Sequence, residues 1–217
     1  MQRYFVTGTD TDVGKTRATA ALALALRLAG KAPTIVKLVQ TGLAPGVPGD
    51  AAHAGTLAGV PHVELARFFK AADPWSAAQA EGKSEVRAYE LVDALASIQG
   101  PVVAEGAGGI MVPLNPHEHF GHVAAQAKLQ AIVAVGLRLG CLNHALLTAN
   151  LCDQLGIPIA GAVLVERWAP ADASYRAEVA RALQGKLRIL GILPFAVDEP
   201  LAVAAGARVF EPLVQKD

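Results

Sequence analysis

The segment Gly8-Thr9-Asp10-Thr11-Asp12-Val13-Gly14-Lys15-Thr16 lies between an apolar run at residues 3–7 and a helical pattern over Lys15–Leu28. A glycine-rich turn that joins a strand to a helix and ends in Gly-Lys-Thr is typical of a phosphate-binding loop. Gly8 and Gly14 allow the backbone to wrap so that its amide groups point inward at phosphate oxygens. The amino terminus of the following helix adds partial positive charge. We therefore predict a nucleotide-binding P-loop, in a lengthened form with five residues between the two glycines.

The residues of this loop have separable predicted roles. Lys15 is expected to reach the β- and γ-phosphates, and the Thr16 hydroxyl to ligate Mg2+. The predicted nucleotide-binding set also includes Asp12, Val13, Gly14 and Arg17. The alternative is an ordinary strand-to-helix turn in which Gly-Lys-Thr occurs by chance, and the spacing and context of the loop both argue against it.

Short apolar runs alternate with helical patterns along the rest of the chain. The predicted strands cover residues 3–7, 34–39, 101–104, 131–135, 159–165 and 187–193, and the predicted helices cover 15–28, 51–57, 75–80, 86–98, 142–155 and 171–183. Continuous apolar strands separated by helices indicate a parallel sheet covered on both faces. Residues after Pro194 show no clear pattern, and no repeat or linker divides the chain. We predict one α/β domain over residues 1–217, with a mostly parallel sheet flanked by helices, of the P-loop NTPase type.

Composition excludes several classes of partner. Lys plus Arg balances Asp plus Glu at 19 each, so charge gives no reason to expect binding to nucleic acid or to an anionic membrane. The longest apolar stretch, residues 18–29, contains Arg27 and is shorter than the roughly 20 residues of a membrane span. The amino-terminal apolar run is too short for a signal peptide. Cys141 and Cys152 lie on one predicted helix about 16 Å apart, too far for a disulfide. We expect a cytoplasmic protein.

Chemically active residues stand at the ends of two predicted strands. Lys37 closes the second strand and is followed by Thr41-Gly42, while Glu105 opens the segment Glu105-Gly106-Ala107-Gly108-Gly109 after the third. Open α/β sheets bind ligands at the carboxyl ends of their strands. An acid at that place beside a P-loop is suited to hold Mg2+, directly or through water.

Four blocks in this order resemble dethiobiotin synthetases. The first is residues 5–16, in which Asp12 stands where the family usually has Glu; the second is Lys37 with Thr41-Gly42. The third is residues 103–109, and the fourth, residues 136–148, contains the Gly-Cys-Leu-Asn-His start of a helix. Residues 73–76 depart from the family's Ser-Pro-His, because Trp75 replaces the histidine.

The resemblance implies a reaction and the residues for it. 7,8-Diaminononanoate would capture CO2 as a carbamate, the γ-phosphate of ATP would activate the carbamate as a mixed anhydride, and the second amine would close the ring to dethiobiotin. Lys37, Lys15 and Thr11 would be catalytic, and Thr41 would contact the substrate together with Lys37. Mg2+ would be held by Thr16, Asp50 and Glu105, and the loop before Asp50 differs in length from that of common family members.

The resemblance also implies a homodimer and a base-binding wall. The substrate carboxylate would dock on the partner's helix start at Leu142 and Asn143. The predicted nucleotide-binding residues further include Asp50, Glu105, Gly106, Ala107, Gly108, Glu166, Arg167 and Pro194. The family usually has an Asn-Asp type of pair where this chain has Glu166-Arg167. A carboxylate cannot donate to adenine but can accept from guanine, so relaxed base selectivity is one hypothesis and a surface ion pair between the two neighbours is the other.

Other interpretations remain beside this one. A deviant P-loop regulatory ATPase, of the switch or partitioning type, would carry an extra lysine early in the loop, where this chain has Asp10. A GTPase metallochaperone would show an Asn-Lys-x-Asp motif, which the sequence lacks. His117, His119 and His122 lie close together in the sequence, but their spacing is not that of a helical zinc site, so a polar loop and helix start is the preferred interpretation.

Overall fold

The computed structural model describes residues 2–215 and places seven parallel strands in one sheet of order β3-β2-β4-β1-β5-β6-β7. The strands are β1 (Arg3–Gly8), β2 (Thr34–Lys37), β3 (His62–Glu64), β4 (Val102–Gly109), β5 (Gln130–Gly136), β6 (Ile159–Val165) and β7 (Ile189–Leu193). Every neighbouring pair is parallel. The carboxyl ends of all the strands therefore meet at one edge of the sheet, as predicted.

Within the described residues 2–215, eight helices cover the sheet. They are α1 (Lys15–Leu28), α2 (Asp50–Ala58), α3 (Pro74–Ala80), α4 (Ala88–Ser97), α5 (Phe120–Gln126), α6 (Cys141–Gln154), α7 (Ala173–Leu183) and α8 (Glu199–Val214). Helices α1, α2 and α8 pack on one face, where Val6 and Ile132 are fully buried. On the other face Phe5 and Phe120 pack with α4, and Val133 and Leu164 pack with α6 and α7. Alternate residues of a strand face opposite sides, so a strand buried on both sides is apolar throughout.

The predicted α/β class and parallel sheet are confirmed, and all six predicted strands are present. Three elements were missed, for different physical reasons. β3 is a three-residue edge strand, and α5 has only seven residues, so neither shows a periodic pattern. In α8 two prolines hid the helix, although Pro200 stands in the first turn, where proline is tolerated, and Pro212 near the end.

Two boundaries differ from the prediction in ways that affect the site. β4 continues to Gly109 because Gly8 of β1 pairs with Gly109 beyond a register shift, so Glu105 lies within the strand rather than after it. β2 ends at Lys37, which is aligned with Glu105 of the neighbouring strand β4. The register thus puts a lysine and a glutamate side by side at the edge where the P-loop begins.

The extent of the domain over residues 1–217 stays a prediction, because residues 1, 216 and 217 lie outside the described part of the chain. None of the helices formed by residues 2–215 is long and apolar enough to cross a membrane.

Candidate active site

The loop between β1 and α1 has the conformation that phosphate binding requires. Gly14 has a φ of 95°, and a Cβ atom added there would lie 2.7 Å from Val165 Cγ1, so both the backbone and the packing require glycine. Helix α1 begins at Lys15 with no side-chain cap on its first turn. Unsatisfied amide groups at a helix start attract anions. The loop is thus shaped and polarised to hold a phosphate chain.

Lys15 lies on the inner side of this loop. Its Nζ atom donates to the Asp10 carbonyl at 2.9 Å, and the side chain is buried. Burial lowers the pKa of Lys15, while Glu105 opposes that shift. A desolvated lysine with one carbonyl partner gains from an incoming phosphate, which supplies the anionic contact that burial has removed.

Lys37 forms the centre of a buried charged cluster. Its Nζ atom lies 2.5 Å from Asp50 Oδ2 and 2.8 Å from Glu105 Oε1, and it also donates to the Gly106 carbonyl at 3.1 Å. The Thr16 hydroxyl donates to the same Glu105 oxygen at 3.0 Å. The cluster therefore joins strands β2 and β4, the start of α2 and the P-loop helix in one group of contacts.

The charge state of Lys37 follows from these contacts. Burial alone would lower the pKa of its ammonium group, but Glu105 and Asp50 raise the pKa above its ordinary value. Lys37 is 2% exposed and yet carries its charge, because two carboxylates face it. Asp50 is held in place through its backbone, since its N–H donates to Gln40 Oε1 at 2.9 Å.

The oxygen atoms of this cluster fit a divalent cation. Glu105 Oε2 is buried and accepts no hydrogen bond from any residue of the range 2–215. Thr16 Oγ1 and Asp50 Oδ2 stand around the same lysine and glutamate. No group of three or more His, Cys, Asp or Glu side chains in this range could hold a metal by itself. Mg2+ usually binds through one or two carboxylates completed by substrate phosphates and water, so two carboxylates and a hydroxyl are a suitable set.

An open cleft of about 840 Å³ lies over the cluster. Most of the predicted site residues line it, namely Thr11, Asp12, Gly14, Lys15, Thr16, Arg17, Lys37, Thr41, Asp50, Glu105, Ala107, Gly108 and Arg167. Residues outside the predicted set line it as well, among them Gln40, His53, Asp73, Val112 and Glu199. His53 and Glu199 meet at 2.8 Å across the mouth of the cleft. His53 lies one turn after Asp50 and could have been found from the sequence, whereas Glu199 belongs to the unrecognised helix α8.

Other predicted residues lie beside the cleft rather than on its surface. Val13 is fully buried in the core, and Gly106 contributes its carbonyl to Lys37. Pro194 accepts a hydrogen bond from Arg17 Nη1 at 3.2 Å. Leu142 and Asn143 form the first turn of α6 and do not line the cleft of their own chain within residues 2–215.

Glu166 and Arg167 point in different directions. Arg167 reaches Asp12 Oδ1 in the P-loop at 3.2 Å. Glu166 is 4% exposed and pairs with Arg176 Nη1 at 2.8 Å. The expected alternative of a surface ion pair between the two neighbours is therefore wrong, because β6 ends at Val165 and directs the following side chains to separate partners.

The structure of the histidine-rich segment, residues 117–122, agrees with the preferred interpretation. His119 caps the start of α5, where its Nδ1 atom accepts from the Gly121 amide at 3.1 Å. Glu118 accepts from the Asn115 side chain and from the Ala88 amide. The segment is a polar turn and helix start. Trp75 lies in α3 and does not line the cleft, whose wall is reached by Asp73 instead.

Comparison with known proteins gives a consistent result. A family model described as an AAA domain matches residues 2–198. The ATP-dependent dethiobiotin synthetase BioD of Anaeromyxobacter dehalogenans (strain 2CP-C) is 40% identical over 178 residues, which cover 79% of this chain and 79% of that protein. The ATP-dependent dethiobiotin synthetase BioD 1 of Escherichia coli (strain K12) is 32% identical over 218 residues, which cover 94% of this chain and 96% of that protein.

Among solved structures, the cell division ATPase MinD of Pyrococcus furiosus superposes with a TM-score of 0.61. The superposition covers 98% of this chain and 100% of the MinD chain, at 17% sequence identity. At this identity the likeness shows a shared P-loop fold and nothing about activity.

Proposed function

Because this chain belongs to the AAA domain family and to the family of ATP-dependent dethiobiotin synthetases, we propose that it is itself a dethiobiotin synthetase. It uses ATP to carboxylate 7,8-diaminononanoate with CO2 and to close the ureido ring, in biotin biosynthesis. The observation that carries the proposal is the position of Lys37. Its ammonium group is buried beside the P-loop lysine Lys15, between two carboxylates.

The triphosphate would be held by the P-loop. The amides at the start of α1 and the Lys15 ammonium surround the β- and γ-phosphates, and Thr11 stands at the exposed apex of the loop. Gly108 packs closely there, since a Cβ atom on it would lie 3.4 Å from Thr11 Oγ1. Phosphoryl transfer needs positioning and charge stabilisation more than covalent help, and these residues supply both.

Lys37 would act on the carbamate. Its positive charge, buried near Lys15, would lower the repulsion between the carbamate and the γ-phosphate and stabilise the charge on the transferring group. Thr41, at the rim of the same cleft, would hydrogen-bond the substrate amine or carbamate. The carbamic-phosphoric anhydride formed in this way is then attacked by the second amine, which releases phosphate.

Thr16, Asp50 and Glu105 would hold Mg2+. The unpartnered Glu105 Oε2 atom and the exposed side of Asp50 provide the oxygens that such an ion needs. The ion would neutralise charge on the β- and γ-phosphates.

We further propose that the enzyme is a homodimer with its substrate site at the interface. The first turn of α6 carries Leu142 and Asn143 and follows Gly140, whose φ is 92°, with no side-chain cap on the helix start. Free amide groups there suit the substrate carboxylate of the partner's site. The neighbouring side chains of Leu139 and Leu147 are exposed in the single chain, as expected of apolar residues that the partner subunit would cover.

The proposed compartment is the cytoplasm. Both cysteines are buried free thiols, and their positions at opposite ends of helix α6 keep them too far apart to pair. Unpaired thiols are typical of a reducing compartment.

The regulatory ATPase is the alternative. It rests on the shared fold alone, and Asp10 occupies the loop position where that class has its additional lysine. We therefore favour the synthetase.

Phosphate release with MgATP, measured with and without 7,8-diaminononanoate and bicarbonate, tests the proposal. We expect strong stimulation by the two substrates together and formation of dethiobiotin, detected by mass spectrometry. Lys37→Ala should abolish the stimulation, whereas Lys186→Ala, at an exposed lysine outside the cleft, should retain it. Intact ATP binding without any stimulation would rule out the synthetase and favour the regulatory ATPase.

A further inference from the structure

Glu166 makes more contacts than a surface carboxylate at a strand end normally does. Its Oε1 atom accepts from Arg176 Nη1 at 2.8 Å and from the Ala171 amide at 3.2 Å. Its Oε2 atom accepts from the Phe195 amide at 3.1 Å. Both carboxylate oxygens are therefore engaged by the protein, although the residue was predicted to contact the nucleotide.

The protein contacts keep this carboxylate charged while it is buried. Burial alone would raise the pKa of Glu166, but the hydrogen bonds from Phe195, Arg176 and Ala171 together lower the pKa below its ordinary value. A buried carboxylate is stable only while such donors satisfy it. A base that bound to Glu166 would have to compete with all of these donors.

Glu166 and its donors adjoin two residues that line the cleft, Arg17 and Arg167. Phe195 follows Pro194, whose carbonyl accepts from Arg17 on the P-loop helix. The Glu166 N–H itself donates to the Leu193 carbonyl at 3.0 Å, so backbone and side chain both hold the turn that follows β7. On the other side Arg167, the next residue, reaches Asp12 in the P-loop. Glu166 is thus the point at which the turn after β7, the start of α7 and the end of β6 are joined.

We propose that Glu166 is a positioning residue of the nucleotide site, which fixes Pro194, Phe195 and Arg167 at the base end without reading the base. This inference rests on the proposed function in so far as the cleft binds a nucleoside triphosphate. Because both oxygens of Glu166 are occupied by protein donors, this carboxylate does not favour one base over another. Binding of the phosphate chain depends on the P-loop and not on Glu166.

The test compares three ligands on the full chain with Mg2+: ATP, GTP and inorganic tripolyphosphate, with the Kd of each measured by calorimetry. In Glu166→Gln an NH2 group replaces one acceptor oxygen. This donor would face either the Phe195 N–H or the Arg176 guanidinium, which are donors too. We expect Kd for ATP and for GTP to rise by the same factor, about tenfold, while Kd for tripolyphosphate stays within about twofold. In steady-state turnover, KM for ATP should rise and kcat should stay unchanged.

Arg176→Gln provides a second variant if Glu166→Gln does not fold. It removes the more exposed partner of Glu166, and it should give the same pattern with a smaller, roughly threefold, rise in Kd for both nucleotides. Arg181→Gln, one turn further along α7 and exposed, is the matched control and should leave all three Kd values unchanged.

Each other outcome overturns the inference. A change of more than about fivefold in the ATP to GTP ratio would make Glu166 a base reader. An equal rise in Kd for tripolyphosphate and for ATP would mean that the whole binding site is disrupted. Unchanged Kd values for all three ligands would mean that Glu166 has no role in nucleotide binding. If the parent protein bound neither nucleotide nor tripolyphosphate, the proposed function itself would fail.

Discussion

Replacing Lys37 by methionine tests whether the buried charged cluster is built as its contacts indicate. The substitution keeps an unbranched chain of similar length but removes the positive charge that lies 2.8 Å from Glu105 and 2.5 Å from Asp50. The Glu105 side chain is 1% exposed and would be left as an unpaired buried carboxylate, whereas that of Asp50 is 38% exposed and can turn to solvent.

The expected loss of stability follows from this difference. Removing one partner of a buried ion pair typically destabilises by about 3–5 kcal/mol, while exposed pairs contribute about 1 kcal/mol or less. Because only the Glu105 half is buried, we take the lower figure, about 3 kcal/mol. In a protein of this size each kcal/mol lowers Tm by roughly 2–4 °C, so Lys37→Met should lower Tm by about 6–12 °C.

Thermal and urea unfolding followed by circular dichroism measure this effect. Adding Glu105→Gln to Lys37→Met should restore most of the loss, because no uncompensated charge then remains, giving a coupling of about 2 kcal/mol in a double-mutant cycle. Lys186→Met, at an exposed site, should change stability by less than about 0.5 kcal/mol. A Tm within about 2 °C of the parent, or strictly additive effects of the two substitutions, would refute the assignment of Glu105 as the buried ion-pair partner of Lys37.

Further outcomes follow from local geometry. Gly14→Ala should abolish ATP binding in calorimetry, because the new Cβ would lie 2.7 Å from Val165 at a φ of 95°. The control is Gly185→Ala, where φ is 88° and no described atom lies within 4 Å of the new Cβ. This variant should lose only about 1–2 kcal/mol of stability in urea unfolding. Glu166 has a folded-state pKa below its ordinary 4.5, so the stability that it confers is present above pH 4.5 and is lost as pH falls through the folded value. The stability gap between the parent and Glu166→Gln should therefore narrow between about pH 6 and pH 3 in urea titrations. Burial raises the pKa of Cys152 to about 11, so at pH 8 about one thiol in a thousand is ionised, and its alkylation should be at least about a hundredfold slower in the native than in the unfolded protein.

Clear results would contradict each of these. Equal ATP affinity in Gly14→Ala and the parent would mean that the loop tolerates a side chain at its helix start. A stability gap for Glu166→Gln that widens on acidification would reverse the sign of the pKa shift. Alkylation of Cys152 at the same rate in the native and unfolded states would show that the thiol is exposed.

Local signals in the amino-acid sequence were enough to predict several parts of the structure. A glycine-rich turn between a strand and a helix that ends in Gly-Lys-Thr has one structural solution, so residues 8–16 are enough to predict the P-loop. Lys37 and Glu105 could be placed at the same edge of the sheet because parallel strands bring their carboxyl ends to one edge, whereas the pairing of their strands came from the structure. Buried strands are also recognisable, since a sheet covered on both faces excludes polar side chains.

The tertiary structure alone decided the contacts between residues far apart in the chain. Glu166 meets Phe195, 29 residues later, and His53 meets Glu199 across 146 residues, and no periodicity in the sequence encodes such pairings. Helix α8, which carries Glu199, was not predicted because its sequence contains two prolines. Both prolines stand near the ends of the helix, which packs against α1. Which oxygens of a carboxylate are already occupied depends on the donors that folding brings to it. For that reason the resemblance could only predict Glu166 as a nucleotide-binding residue, and the fold shows that its oxygens are taken by the protein itself.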